Sequence, residues 1–597
     1  MRVAVIGSGL AGLTTAYFLR RQGVEVWLIE KSPKLGFHSQ SVDVTPQEVD
    51  EKEDVKGNAT GSHSRNSEDE KDDSRWIVDV PMRGFQGGYY PLLLSLYSHL
   101  GIPFRRTNYT YSFTSSSTYF IHSGSSGFSI PSLPSSAYTS PFAFIHHLLS
   151  FLGVALCYIL LVVLSFMAWH DVLPPSLTEN DLTLREFTTN LTAFLARPIA
   201  IPLIGYSPWT PLGEVFESFV GTIVLPLFSA VGTMTSSDVW SVPVRVVLDY
   251  IHQTLGTDHY HFDKGYSAAD VASRLSAPVK AQGKDYVRVG TEITGLEYAI
   301  GGGVRVKLRT VSASTEDGGE EEGLRVDKVV LATQASVAKM LLSGLEKSLK
   351  EWGEEKEKVK VGVMRNALGK VQYRETIVIT HRDTSILPPI ANRRDINLFL
   401  PPASASSSSS RRTKSPSSPS LPSNHNLSQH TASTPLFDPS EKGIYTMATQ
   451  IIQSPRGDLE PVLQTTNPVI PINPNKVLSI SRLERALPLK RPTETIHALR
   501  PNSPNSLVYL VGSYAYPGIP LLEGCVGSAK LAVENILASD KAAREKVAKL
   551  DGSAKKEKKR VGWFAWQRGG LGVGDVDWDV GRGSRIVRIW RWRRKEQ

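Results

Sequence analysis

Three glycines and an acid are the first residues whose spacing implies chemistry. In Met1-Arg-Val-Ala-Val-Ile-Gly7-Ser-Gly9-Leu10-Ala11-Gly12 a β-branched strand ends in a Gly-x-Gly-x-x-Gly turn, a helical pattern runs on to Gly23, and Val24 to Glu30 reads as a second strand. That order suits the pyrophosphate of a dinucleotide. Gly7 permits the tight turn, Gly9 lets backbone approach the phosphates, and Gly12 lets the helix lie close on the sheet with its N-terminal amides facing the anion. Glu30 stands 18 residues past Gly12, where a carboxylate accepts hydrogen bonds from a ribose diol. Leu10 and Ala11 in the turn and Lys31 after the acid complete this cofactor-binding set. No nucleophile triad or metal cluster is legible. The two cysteines, Cys157 and Cys525, exclude a disulfide scaffold and a four-cysteine metal site and suit a reducing compartment.

The residues after Glu30 carry a resemblance. Leu35-Gly36-Phe37-His38 resembles the Gly-Gly-[Arg/His] turn of glutathione-reductase-type flavoproteins in the amine oxidase and phytoene desaturase superfamily, with Phe37 in place of the second glycine. Arg75-Trp-Ile-Val-Asp79-Val-Pro81 and the Gly-Gly-Tyr-Tyr-Pro91 turn before a leucine-rich run are similar to that superfamily's aspartate strand and following helix, with Pro81 in place of glycine. Leu507 to Ser528, containing Gly512-Ser-Tyr514-Ala-Tyr516 and Glu523-Gly524, resembles the closing flavin motif of protoporphyrinogen oxidases and amine oxidases. Closest are predicted NAD/FAD-binding proteins with an amine oxidase domain. The resemblance implies FAD as cofactor. It implies Gly36 and His38 near the phosphates, a backbone adenine contact at Ile293, and Gly512 beside the pyrophosphate and ribityl chain. Glu523 and Gly524 would open a helix aimed at the flavin N1 and C2 carbonyl, whose partial positive charge stabilises the reduced anion. It offers Tyr514 and Tyr516 as weak catalytic candidates facing the ring, against ordinary packing. For His38 the simpler alternative is a histidine capping a loop.

These motifs must be positioned by more than one core. At 597 residues, 41% hydrophobic and 21% charged, the chain is too long for a single core and too apolar to be mostly disordered. Strands are read at Tyr286 to Leu296, from Val304 to Leu308 after a triple-glycine turn at 301–303, and at Asp327 to Thr333. The expected fold class is α/β: a discontinuous, glutathione-reductase-type FAD-binding Rossmann domain with an α+β substrate domain and an apolar helical insertion. The FAD-binding domain draws on residues 1–44 and 75–106, on 286–340 and on the closing motif and helix at 501–540. The substrate domain draws on 107–285, 341–402 and 437–500. Residues 45–74 and the Ser/Pro-rich 403–436 are expected to be disordered insertions, and 541–597 a basic, Trp-containing tail. Lys370 and His381 lie in a strand pattern that leaves them as readily solvent-facing as catalytic.

The net charge of +9 sits at one end. From Lys541 onward 17 basic residues face 7 acidic ones, whereas residues 1–540 carry 50 against 51. Charge alone leaves nucleic acid and membrane open. Leu148 to Trp169 is 22 residues without a charge, about 33 Å as a helix. A single crossing would strand the two halves of the dinucleotide site on opposite sides. The alternatives are a helix in one leaflet, a pair of crossings with the Pro-interrupted stretch Phe219 to Val231, or a helix buried in the substrate domain. No Lys or Arg from Thr107 to Leu184 sets an orientation. The tail, with Trp563 and Trp566 among basic clusters, reads as resting on anionic headgroups ahead of a solvated tail or nucleic acid. No signal peptide is expected, because the first apolar run already forms a strand of the nucleotide site.

The function expected is that of an FAD-dependent, amine-oxidase-type oxidoreductase, membrane-associated with its flavin domain facing the cytosol, that transfers a hydride from an apolar or lipid-like small molecule. Its expected partners are that substrate and membrane lipid, through 148–169 and the basic tail, and not nucleic acid. The alternatives are a desaturase or isomerase of a polyisoprenoid or fatty chain, and a non-catalytic flavin-fold membrane scaffold.

Overall fold

The structure is a computed structural model that describes residues 1–38, 40–45, 76–81, 84–124, 128–129, 140–178, 182–196, 210–310, 321–401, 445–454, 460–500 and 506–550. The expectations made for the two polar insertions and for the tail beyond residue 550 lie outside the described residues. Residues 541–550, grouped with the tail by charge, continue the helix Leu522–Leu550.

Strand Arg2–Ile6 lies at the centre of a five-stranded parallel sheet. Across it run Val287–Arg288, Glu25–Ile29, Arg2–Ile6, Lys328–Leu331 and Val508–Leu510. In chain order this is 3-2-1-4-5, the doubly wound arrangement whose ligand crevice lies off the carboxyl ends of the strands where the order reverses. Because both faces are covered, residues 3–6, 26–29 and 329–331 are unbroken apolar runs, with the charged residues Arg2, Glu25 and Lys328 at the strand starts. Val3, Val5, Val26, Leu28, Val330 and Tyr509 belong to one core, together with helices Leu10–Arg21, Ala268–Lys280 and Leu522–Leu550. Ala4, Ile6, Ile29, Val329, Leu331 and Val508 belong to a second. That second core is closed by the antiparallel meander Thr291–Tyr298, Val304–Thr310 and Glu321–Val326 and by helices Ala335–Glu351 and Glu355–Leu368. Each fully buried branched side chain contributes about 1.5 to 3 kcal/mol relative to exposure. The strand sites read from the sequence at 286–296, 304–308 and 327–333 are all strands of these two layers.

The remaining strands form mainly a mixed eight-stranded sheet. Its order is Val477–Ala486, Tyr373–His381, Val462–Thr466, Met447–Ile452, Ile396–Phe399, Tyr111–Thr114, Thr118–His122 and Phe128–Ser129. Only Ile396–Phe399 with Tyr111–Thr114 pairs in parallel, and there Asp395 accepts from Thr110 N at 2.9 Å and Thr110 Oγ1 at 2.7 Å. His381 in this sheet is wholly buried, not solvent-facing. Its Nδ1 accepts from Asp383 N at 3.0 Å, which leaves Nε2 as the protonated nitrogen facing Thr465 Oγ1 at 2.8 Å. Lys370 is at the surface, paired with Glu494 at 2.8 Å.

The uncharged run forms most of helix Pro141–Trp169, started by Ser140 Oγ accepting from Ala143 N at 3.1 Å. The Pro-interrupted stretch becomes helix Thr210–Phe219, a π turn at Val220–Val224 and helix Leu225–Gly232. Pro141–Trp169 and Pro211–Gly232 are long and apolar enough to cross a membrane by length and composition, with mean hydropathies of 2.6 and 1.7. A soluble core helix meets the same criterion.

Candidate cofactor site

The glycine turn is built as its spacing requires. Gly7 has φ +98°, and a Cβ there would stand 2.7 Å from the Ala332 carbonyl oxygen. At Gly12 a Cβ would stand 1.9 Å from the Gly7 oxygen. At Gly9 nothing lies within 4 Å. The fold itself therefore demands glycine at 7 and 12, whereas the absence of a side chain at 9 leaves open space. Gly9 is also the N-cap of helix Leu10–Arg21 and supplies no side-chain cap, so the first amides remain for an anion. Leu10 and Ala11 are buried at the start of that helix.

Glu30 ends its strand beside this turn. Its Oε2 accepts from Ser8 N at 2.8 Å and Ser8 Oγ at 2.6 Å, and its Oε1 accepts from Ser32 N at 2.9 Å. Ser8 Oγ accepts from Gly36 N at 2.7 Å, so one hydroxyl joins the acid, the glycine turn and the following loop. A Cβ at Gly36 would stand 3.5 Å from Glu30 Oε2 and 3.6 Å from Gly9 N. Phe37, in the position of the second glycine, is buried in the first core. Gly36–His38 forms a 3-10 turn, and the His38 side chain lies outside the described residues. Lys31 is exposed and pairs with Glu292 at 2.7 Å, holding that carboxyl below its usual range chiefly through the hydrogen bond. Ile293 is brought to this edge, because Thr291 N donates to Glu30 O at 2.9 Å and Gly290 N to Ser32 O at 2.9 Å.

The closing motif returns to the same sheet from the far end of the chain. Strand Val508–Leu510 pairs with Lys328–Leu331, and Gly512 N donates to Ser528 Oγ at 3.0 Å. A Cβ at Gly512 would stand 2.8 Å from the Tyr514 ring, and one at Gly524 2.8 Å from Ser513 O, so both glycines allow close approach of chain to chain. Glu523 lies in the first turn of the closing helix, and its side chain turns to helix Pro91–His99, a partner the sequence did not indicate. It is buried, with Oε1 accepting from Leu92 N and Oε2 from Leu93 N, both at 3.0 Å, and so caps helix Pro91–His99. Burial pushes its carboxyl up to about 8, against the opposing pull of those two amides. Tyr89, in the turn before that helix, donates its hydroxyl to Ile519 O at 3.1 Å and accepts from Ile519 N at 2.8 Å. The sequence signal that could have located this joint was the Gly-Gly-Tyr-Tyr-Pro turn.

The two candidate ring tyrosines pack differently. Tyr514 is buried in the second core, its hydroxyl donated to Thr333 O at 3.2 Å, and burial raises its pKa. Tyr516 lies against the closing helix, where a Cβ at Gly527 would meet its ring at 2.4 Å, and burial pushes its hydroxyl up to about 12. Among the described residues no group of three or more His, Cys, Asp or Glu is placed to hold a metal ion.

Strand order, glycine turn and acid together define a Rossmann-like fold. Residues 5–56 match the family described as NAD(P)-binding Rossmann-like domain. Comparison with curated proteins finds no match. Among solved structures the chain is similar to cyclohexylamine oxidase from Brevibacterium oxydans IH-35A, at 12% identity over 91% of this chain and 99% of that one, with a TM-score of 0.47. It is also similar to an oxidoreductase from Methanosarcina mazei, at 13% identity over 90% of this chain and 100% of that one, with a TM-score of 0.46. The 3-2-1-4-5 sheet and its meander, not these scores, carry the assignment. The α/β class and the Rossmann-like parallel sheet expected from the sequence are the ones observed.

Proposed function

We propose that the protein is an FAD-dependent oxidoreductase of the amine oxidase type, associated with a membrane, its flavin domain on the cytosolic side, and acting on an apolar or lipid-like small molecule. One observation carries this reading: the open space at Gly9 meets the uncapped start of helix Leu10–Arg21, while the chain's far end closes the same sheet through strand Val508–Leu510, just before Gly512. The residues present fit the cofactor. Gly7, Gly9, Leu10, Ala11 and Gly12 would hold its pyrophosphate with Gly36 and His38 nearby, Glu30 its ribose, Lys31 and Ile293 its adenine end, Gly512 its ribityl chain, and the start of the closing helix at Glu523 and Gly524 its flavin ring. When bound, FAD supplies the two-electron acceptor for a hydride. Glu523 and Tyr89 act as positioning residues, fixing the closing motif against helix Pro91–His99. The described apolar helices support membrane association.

The test is direct. Purified full-length protein is expected to be yellow, with the two-banded absorption of oxidised flavin, bleached by dithionite. Colourless protein that takes up no added FAD overturns the proposal. Peroxide release with amines separates amine oxidation from the second reading, a desaturase or isomerase of a fatty or polyisoprenoid chain.

A further inference from the structure

Helix Pro141–Trp169 presents two opposite faces. Cys157, Leu161, Leu164 and Ala168 are buried, and the helix packs on helix Val244–Thr254. On the other side Phe142, Leu149, Leu152, Leu156, Ile159 and Phe166 are each half exposed or more. At 3.6 residues per turn these exposed positions, with Phe144 and Leu148, spread over roughly 160° of the helix surface along roughly 36 Å. Water does not favour an uncovered apolar face of that width and length. From Thr107 to His170 the chain carries no Asp, Glu, Lys or Arg, so the face lacks the flanking charges that set register between paired helices. A partner helix covers a narrow seam, which would leave Phe144 and Leu148 bare, whereas acyl chains cover the whole arc.

A lone crossing is barred because segments before and after the helix share one sheet, Val3 pairing with Lys328. A paired crossing with Pro211–Gly232 is barred because Leu184 N donates to Val242 O at 2.9 Å and Val244 N to Leu182 O at 2.8 Å, which joins the intervening chain to the chain beyond. Beside its last turn Arg245 pairs with Asp171 at 3.0 Å and with Asp249 at 3.8 Å, and donates to the Ala168 carbonyl oxygen. Trp169 stacks on His252 at 4.6 Å between ring centroids. Charged and amphipathic aromatic groups of this kind belong at a membrane–water boundary, not in hydrocarbon.

We infer that helix Pro141–Trp169 lies within one leaflet of a lipid bilayer, its outer face on the acyl chains and its inner face on the protein, without spanning. This rests on the membrane-associated reading proposed above and names the lipid contact. The second apolar helix adds to the same surface through Val215, against which a Cβ at Gly153 would stand 3.3 Å away.

Full-length protein and vesicles of zwitterionic phosphatidylcholine test it, since such vesicles offer the basic tail no net charge. The wild type is expected to float with the vesicles and to stay bound in molar salt. The triple variant Leu149→Glu, Leu152→Glu, Leu156→Glu changes only exposed positions, so it should keep the wild-type melting temperature and flavin content while its bound fraction falls at least roughly tenfold. In a Cys157→Ala, Cys525→Ala background, cysteines placed by Ser140→Cys and His170→Cys should both react with an impermeant thiol reagent outside the vesicle. Protection of one end shows a crossing and overturns the inference. So does wild-type binding by the triple variant, or a soluble wild-type dimer that the triple variant dissociates. A colourless wild type that still binds vesicles counts against the flavin reading alone.

Discussion

Glu523 ties the two halves of the chain together, and its titration can be isolated. The buried carboxyl is raised from 4.5 to about 8, so between those values the folded protein holds a proton that the unfolded chain has released. Its contribution to stability is complete below pH 4.5 and is lost as pH rises to about 8, at about 1.4 kcal/mol per pH unit. His381 and His259 act in the opposite sense. Burial lowers both from 6.5 to about 4, so their contribution is complete above pH 6.5 and is lost as pH falls towards 4. Below pH 6.5 these slopes oppose that of Glu523; from 6.5 to 8 only Glu523 of the three titrates. Wild-type stability is therefore expected to fall by about 2 kcal/mol across that window. Glu523→Gln keeps one acceptor for the Leu92 and Leu93 amides and has no charge to lose, so its curve should show no fall there, only a slight rise near pH 8 from Lys328, whose ammonium pKa is lowered by burial to about 8. Glu523→Ala leaves both amides without their acceptor and should cost about 2 to 4 kcal/mol relative to the protonated wild type. Urea unfolding at half-unit pH steps measures all three. A wild-type curve as flat as that of Glu523→Gln would refute the reasoning, because it would mean that the two helix amides outweigh burial and keep the carboxylate ionised.

The glycine turn predicts a contrast between neighbours: Gly9→Ala should leave thermal stability within about 1 kcal/mol of wild type yet weaken FAD retention in gel filtration, because its Cβ enters open space reserved for the ligand. Gly12→Ala should cost more than about 3 kcal/mol, its Cβ colliding with backbone, and yield little folded protein by circular dichroism. Tyr89→Phe removes the hydroxyl that both donates to and accepts from Ile519, and should lower stability by about 1 to 3 kcal/mol in the same urea assay. His381→Gln should shift acid unfolding to lower pH, since the variant has no buried imidazole to protonate.

Legibility followed the range of the interactions. The strand, turn, helix and acid of residues 1–30 are contiguous, and their spacing is set by the geometry of one βαβ unit, so Gly7, Gly9, Gly12 and Glu30 could be placed without coordinates. The Gly512 motif was placed differently, by its resemblance to a known closing motif and not by spacing. The Ser8 hydroxyl joining Glu30 to Gly36 was not, because a serine between two glycines gives no periodic signal. Phe37 reads as a departure from a glycine turn, and only its burial shows that the side chain serves the core instead.

By itself the sequence determined the elements: apolar strands, the glycine turns, an uncharged run long enough to reach across a bilayer, and the order in which they occur. These depend on local backbone freedom and on side-chain period, both fixed within a few residues. Tertiary structure decided which side chain faces what. It turned Tyr514 into the core, set Glu523 on the amides of a helix some 430 residues earlier, and laid the apolar run along the protein with one face left outward. Those outcomes depend on packing between segments far apart in the chain, where burial and pairing, not propensity, set the energy.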